Sequence, residues 1–250
     1  LIKNMKIFIS IFFPILKVQQ SEFSKYLDNV LGAKLTISLY KSTDLNKVVL
    51  QLQDEKSNIY GYLKYPITRV GKQRVLNEKY GIHILSKLKI VDKLLFYGSY
   101  QDTPFIILKN IDGVINRFPV GSHKKVLKSL YREKKFTLKK HPRIIGLLDR
   151  LKVLGLDEYH ALLQRLIQTS NASFKQVYEH GDFAPWNLIQ TSKDYVPFDF
   201  EYFVENGLEY LDEIKYHFQI QHLLHGKSGV QLVNAIASKV YLGKEFSSIF

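Results

Sequence analysis

The sequence predicts an α+β fold in two parts: an antiparallel sheet with one helix, then a mostly helical second part. Three observations predict it. Residues 34–66 hold three β-rich runs joined by short polar loops, segments of helical rhythm gather after residue 112, and neither a repeat nor a low-complexity tract interrupts the chain. At 250 residues, with 46% hydrophobic and 13% aromatic side chains, the chain has enough apolar material to bury a core in each part.

The elements follow in order. The opening "LIKNMKIFISIFFPILK" has an apolar run, Ile7 to Leu16, about half the length a spanning helix needs, broken by Pro14. No small-residue cleavage site follows it, so residues 1–20 are expected to be a buried or surface-lying apolar extension rather than an export signal. "KLTISLY" (34–40), "KVVLQLQ" (47–53) and "IYGYLKYP" (59–66) read as an antiparallel meander. "GKQRVLNEKYGIHILSKLK" reads as a helix through Val75, Leu76, Tyr80 and Ile84, weakened by about 1 kcal/mol at Gly81. "KLLFYGSY" and "PFIILKNI" are two further strands, and Asp112-Gly113 marks a break. The expected division is therefore residues 1–112 and 113–250, with a ligand cleft between them. "VLKSLYREKKF", "PRIIGLLDRLK" and "DEYHALLQRLIQ" read as helices of the second part.

Composition narrows the function. There is no cysteine, which removes disulfide scaffolds and Cys-based zinc sites. The net charge of +13, from 36 Lys+Arg against 23 Asp+Glu, favours anionic partners. The lysines are scattered and no nucleic-acid motif accompanies them, so no nucleic-acid partner is expected. A basic binder of that kind would show salt-sensitive retention on DNA or RNA. "HGKSG" (225–229) lacks the earlier glycine of a phosphate-binding loop and reads as a turn. His217, His222 and His225 read as packed or surface histidines, since no carboxylate or cysteine completes a metal set with them.

The chemistry concentrates in "EHGDFAPWNLIQTSKDYVPFDFE", residues 179–201. "LIQ" and "YVPF" flank the turn-like "TSKD" as a hairpin. Pairing about position 193 puts Asn187 opposite Asp199, close enough for two oxygen donors to share one Mg²⁺. Pro197 is tolerated only on an edge strand or at a bulge. Asp182, in the loop entering the hairpin, can accept a proton from an attacking hydroxyl, and His180 would orient that loop.

"HGDFAPWN" has the H-x-D-x-x-x-x-N spacing of a kinase catalytic loop. With "FDFE" after it, the segment closely resembles the aminoglycoside phosphotransferase and choline-kinase-like families, bilobal relatives of protein kinases that phosphorylate small molecules. The resemblance implies a bilobal protein kinase-like fold using ATP and Mg²⁺, with Asp182 as catalytic base, His180 as its support, and Asn187 and Asp199 as Mg²⁺ ligands. Further matches run from about residue 34 to residue 212. Lys64 matches the lysine that contacts the α/β-phosphates, and Glu78 its ion-pair partner. "FIILKNIDG" matches the linker whose backbone, at Asn110 and Ile111, would hold adenine. Asp212 matches an acidic position that braces the catalytic region.

The sequence also departs from the pattern. The loop "KSTDLN" has no glycine, Lys109 stands where these families often carry an acid, and only 51 residues follow Asp199. The expected activity is transfer of the γ-phosphate of ATP to a hydroxyl of a small molecule: a sugar, glycolipid headgroup, aminoglycoside or amino alcohol. The alternative is a catalytically weak nucleotide-binding pseudokinase or scaffold. A cytoplasmic location is expected, with a basic surface suited to peripheral contact with a membrane. No motif speaks to oligomeric state.

Overall fold

A computed structural model of the chain describes residues 21–41, 45–116, 118 and 121–240. The apolar extension at 1–20 and the centre of the glycine-free loop, 42–44, lie outside the described residues.

Helix α1 (Glu22–Leu31) precedes the first sheet. The Ser21 hydroxyl accepts the Ser24 N–H at its start, and Gly32 ends it in the left-handed region at φ 63°. Strands β1 (Thr36–Lys41), β2 (Lys47–Gln53), β3 (Ile59–Pro66), β4 (Phe96–Tyr100) and β5 (Thr103–Lys109) form one antiparallel sheet in the order β1-β2-β3-β5-β4. Alternation along β3 sorts its side chains. Leu63, opposite Ile107, joins Leu27 of α1, Leu52 and Phe105 in the core, while Lys64, opposite Ile106 and Val49, points to the other face. Helix α2 (Arg69–Lys87) lies between β3 and β4, capped by the Thr68 hydroxyl on Gly71 N.

After β6 (Val114–Ile115) come α3 (His123–Ser129), β7 (Tyr131–Thr137), α4 (Pro142–Val153), α5 (Asp157–Thr169) and β8 (Ser173–Glu179). Then follow a 3₁₀ turn (Pro185–Asn187), β9 (Leu188–Gln190), β10 (Tyr195–Pro197), β11 (Val204–Leu208), α6 (Leu211–Gln219), a π-helical turn (Ile220–Leu224) and α7 (Gly229–Ala237). The second part is thus less purely helical than its sequence rhythm predicts, holding the three-stranded sheets β10-β9-β6 and β11-β8-β7. "VLKSLYREKKF" is the segment that differs. Its helix stops at Ser129, and Tyr131–Thr137 is drawn out as a strand by pairing with β8, Phe136 facing Phe174. β-propensity at Tyr131, Phe136 and Thr137, together with the ladder, outweighs a helical spacing of apolar residues.

The predicted hairpin forms, with a register one residue away from that expected. Gln190 pairs with Tyr195 and Leu188 with Pro197, so Asn187 faces Phe198, whose N–H donates to the Asn187 carbonyl at 3.1 Å. The turn Thr191–Asp194 has an even number of residues, closed by Thr191 N on Asp194 O and by the Thr191 hydroxyl. The centre of symmetry therefore falls between positions 192 and 193. Pro197 stands on the edge strand β10, where its missing N–H costs no ladder bond. Among the described residues no helix is long and apolar enough to cross a membrane.

Candidate functional site

The site grows from the end of β8. His180 and Gly181 follow that strand, and their backbone N–H groups donate to the two carboxylate oxygens of Asp212, at 2.6 and 3.0 Å. Asp212 is buried in the first turn of α6. Burial and the nearby Glu179 push its carboxyl up to about 7, against those two N–H groups and Lys215. Gly181 adopts φ 79°, and a Cβ there would meet the Tyr202 carbonyl oxygen at 2.1 Å, so the loop can turn here only on glycine.

His180 is fully buried beneath this turn. Its Nδ1 accepts the Asp182 N–H at 3.3 Å, which leaves Nε2 as the protonated nitrogen, donating to the Phe198 carbonyl at 2.9 Å. Burial, against the pull of that carbonyl, holds the imidazole below its usual pKa. A neutral His180 thus ties the loop carrying Asp182 to the strand end that leads to Asp199.

Asp182 is half-buried. Its Oδ1 accepts from Gln219 Nε2 at 2.9 Å and lies 3.2 Å from Lys215 Nζ, both on α6. The Asn187 amide donates to Asp182, at 2.7 Å to the carbonyl and 3.2 Å to Oδ2. Pro185 opens the 3₁₀ turn that delivers Asn187, its fixed φ suited to a first helical position.

Across from this loop, Lys64 Nζ contacts both carboxylate oxygens of Glu78, at 2.7 and 2.8 Å, and Oδ1 of Asp199 at 2.7 Å. Burial opposes the Lys64 charge, but the Asp199 and Glu78 carboxylates outweigh it and hold the ammonium above its ordinary range. For Asp199, burial likewise opposes ionisation, and Lys64 and Lys47 override it, leaving the carboxyl well below the usual range. Asp199 has φ 68°, a conformation that costs a non-glycine residue about 1–2 kcal/mol, offset here by its ion pairs.

Helix α2 is pressed onto the segment after Asp199. Asn77 Nδ2 donates to the carbonyls of Glu201 and Phe203, both at 3.0 Å, and a Cβ at Gly81 would meet the Phe203 ring at 2.7 Å. The glycine that weakens the helix is what lets Glu78 reach Lys64. Asn110 and Ile111 follow β5 immediately, four and five positions beyond Ile106, the partner of Lys64. That separation along the strand is about 13–17 Å, so these two stand apart from the charged cluster.

The folded chain thus groups Asp182 with Asn187, and Lys64 with Glu78 and Asp199, and His180 bridges toward both through Asp182 N and Phe198 O. Three further residues belong here that sequence reasoning passed over. Lys47, 8% exposed, pairs with Glu201 at 2.5 Å and lies 3.5 Å from Asp199 Oδ1. Lys215 and Gln219 hold Asp182. A signal for Lys47 existed: β2 and β3 pair so that Val49 faces Lys64, and the two-residue period then puts Lys47 on the same face. Lys215 and Gln219, one turn apart on α6, carried no comparable signal because their partner lies over thirty positions away.

No protein-family model matches the chain, and no curated protein sequence matches it. Solved structures do. An aminoglycoside phosphotransferase from Streptomyces rimosus, in complex with ADP and streptomycin, superposes with a TM-score of 0.54 at 14% identity, covering 91% of this chain and 94% of that one. Plasmodium vivax ethanolamine kinase gives 0.51 at 13% identity, over 99% of this chain and 81% of its own. An aminoglycoside-3'-phosphotransferase of type VIII gives 0.51 at 14%, over 90% and 93%. The chain has the kinase-like fold of the aminoglycoside phosphotransferases and ethanolamine kinase.

Proposed function

We propose that the chain transfers the terminal phosphoryl group of ATP to a hydroxyl of a small molecule. The observation that carries the reading is that buried His180 links two polar groups: Asp182 with Asn187, through the Asp182 N–H, and Lys64 with Glu78 and Asp199, through the Phe198 carbonyl next to Asp199. In this reading residues up to 112 bind the nucleotide and residues from 113 onward carry the reacting groups. The backbone at Asn110 and Ile111 takes the adenine. Glu78 aims Lys64 at the phosphates, and Lys47 supplies a second ammonium.

Asn187 and Asp199 fit a Mg²⁺ ion. The Asn187 amide nitrogen is committed to Asp182, which leaves its oxygen to offer. Asp199 is kept ionised and, at 29% exposed, is the most open member of its ion-pair group. Mg²⁺ takes few protein oxygens and completes its shell with phosphate and water. Bound there, it would neutralise phosphate charge.

Asp182 accepts the acceptor's hydroxyl proton as the new O–P bond forms and the bridging bond to ADP breaks. Gln219 and Lys215 fix the carboxylate's position, and positioning of this kind supplies much of the rate in such reactions. Lys215, 3.2 Å from Asp182, adds to the net charge of +13 in disfavouring a cationic acceptor. A neutral or anionic acceptor such as a sugar or a glycolipid headgroup fits better than an aminoglycoside or amino alcohol. The nucleotide is that of the Streptomyces rimosus neighbour, whose complex contains ADP.

The test is a thermal-shift titration with ATP, with and without Mg²⁺, followed by an ATP-depletion screen across sugars, aminoglycosides and amino alcohols. The reading expects a Mg²⁺-dependent shift and turnover stimulated by one acceptor class. A second reading, a nucleotide-binding pseudokinase, is favoured by the engagement of Asp199 with two ammonium groups. It expects the shift without acceptor-stimulated turnover.

A further inference from the structure

Away from the site described above, the described residues bring together one set of metal-ligand side chains, on α3 and α6. His123 begins α3, and Glu213 and His217 lie one helical turn apart on α6. One donor atom from each lies within 4.8 Å of the other two. His123 is 8% and Glu213 7% exposed. The rings are held: His123 stacks on Tyr216 with centroids 4.3 Å apart, and meets His217 edge-on at 5.5 Å.

One of these groups is left wanting: Nε2 of His217 is buried and makes no hydrogen bond. Buried polar atoms normally find partners, and a stranded one is a reason to look for a bound ion. The Lys124 ammonium lies 3.2 Å from Glu213 Oε1, but its side chain is half exposed and can swing into solvent.

We propose that His123, Glu213 and His217 form a structural site for a borderline divalent transition metal of the Zn²⁺ class. Two imidazoles and a carboxylate suit that class, whereas Mg²⁺ prefers an all-oxygen shell. Helix α6 also carries Asp212, Lys215 and Gln219, which hold the Asp182 loop. An ion joining two α6 ligands to His123 braces that helix against α3. The inference stands apart from the phosphotransfer reading, since it concerns different residues and a different metal.

The test uses the full chain, purified without a histidine tag, stripped with EDTA and titrated with Zn²⁺ by calorimetry in excess Mg²⁺. Uptake of roughly one equivalent with a rise in Tm is expected. Binding should be weakened roughly tenfold or more by Glu213→Gln and by His217→Ala, and left unchanged by His222→Ala, whose ring lies outside the cluster. Lys124→Met, a surface change that spares the fold, should tighten binding severalfold by removing the competing ammonium. No saturable uptake by the parent chain overturns the site, as does uptake that survives His217→Ala. Unchanged affinity in Lys124→Met overturns it even where His217→Ala does not fold.

Discussion

Replacing Lys47 by Met separates nucleotide binding from mere structural pairing. The Lys47 ammonium lies 3.5 Å from Asp199 and 2.5 Å from Glu201, with its side chain 8% exposed. At an effective dielectric of about 20, the gross attraction to Asp199 alone is about 5 kcal/mol, most of it returned as desolvation. Breaking a buried pair costs about 3–5 kcal/mol. The loss here should fall at the low end, because Asp199 keeps Lys64. If Lys47 also grips phosphate, the variant forfeits a charge-assisted hydrogen bond of about 1.5–3 kcal/mol, a rise in Kd of roughly tenfold to more than a hundredfold. Calorimetric titration of Mg·ADP gives the Kd, and urea unfolding gives the stability. Glu201→Gln is the control: it removes the structural partner but leaves the ammonium, so it should lower stability while changing Kd little. An unchanged Kd in Lys47→Met would refute the phosphate-binding role. Equal weakening by both variants would refute it too, by showing that Lys47 acts only through Glu201.

Other expectations follow from the same geometry. Gly81→Ala gains about 1 kcal/mol of helix propensity but drives a methyl to within 2.7 Å of the Phe203 ring, an overpacking penalty of about 1–3 kcal/mol. A net loss of stability by urea unfolding and a reduced kcat are expected, since Glu78 is displaced along with the helix. Stability should also carry a pH signature from His180. Its folded pKa is depressed, so unfolding takes up a proton below the unfolded value of about 6.5, and stability is lost as pH falls through that range. The limiting slope is about 1.4 kcal/mol per pH unit. His180→Gln removes this term, so its stability deficit against the parent chain should be smaller at pH 5 than at pH 7.

The first sheet was legible because its strands are runs rich in β-branched and aromatic residues joined by short polar loops: β2 and β3 run over the predicted residues. Helix α1 was not anticipated. The strand at Tyr131–Thr137 has a helical spacing of apolar residues, and what makes it a strand, its pairing with β8, lies some forty positions later. Side chains whose meaning is set by local spacing, such as Asp182 and Asn187, could be singled out from one loop. Lys47 acquires its meaning from Glu201, 154 positions away. The set on α3 and α6 was hidden for the same reason. In the sequence the neighbours of His217 are the histidines that follow it, while its structural companions are Glu213, one turn earlier, and His123, which only the fold brings near. The hairpin shows a finer limit: the strands were readable, but an even-numbered turn shifted the register by one.

The central claim is that Asp182 and Asp199 divide the work, one receiving a proton and the other holding the metal. Parallel measurement of turnover and of Mg²⁺-dependent ATP binding in Asp182→Ala and Asp199→Ala tests it most directly. Both variants should lose turnover. Asp182→Ala should still bind ATP more tightly with Mg²⁺ than without, and Asp199→Ala should bind it equally weakly in either case. Normal turnover in either variant, or a preserved Mg²⁺ effect in Asp199→Ala, would contradict the account.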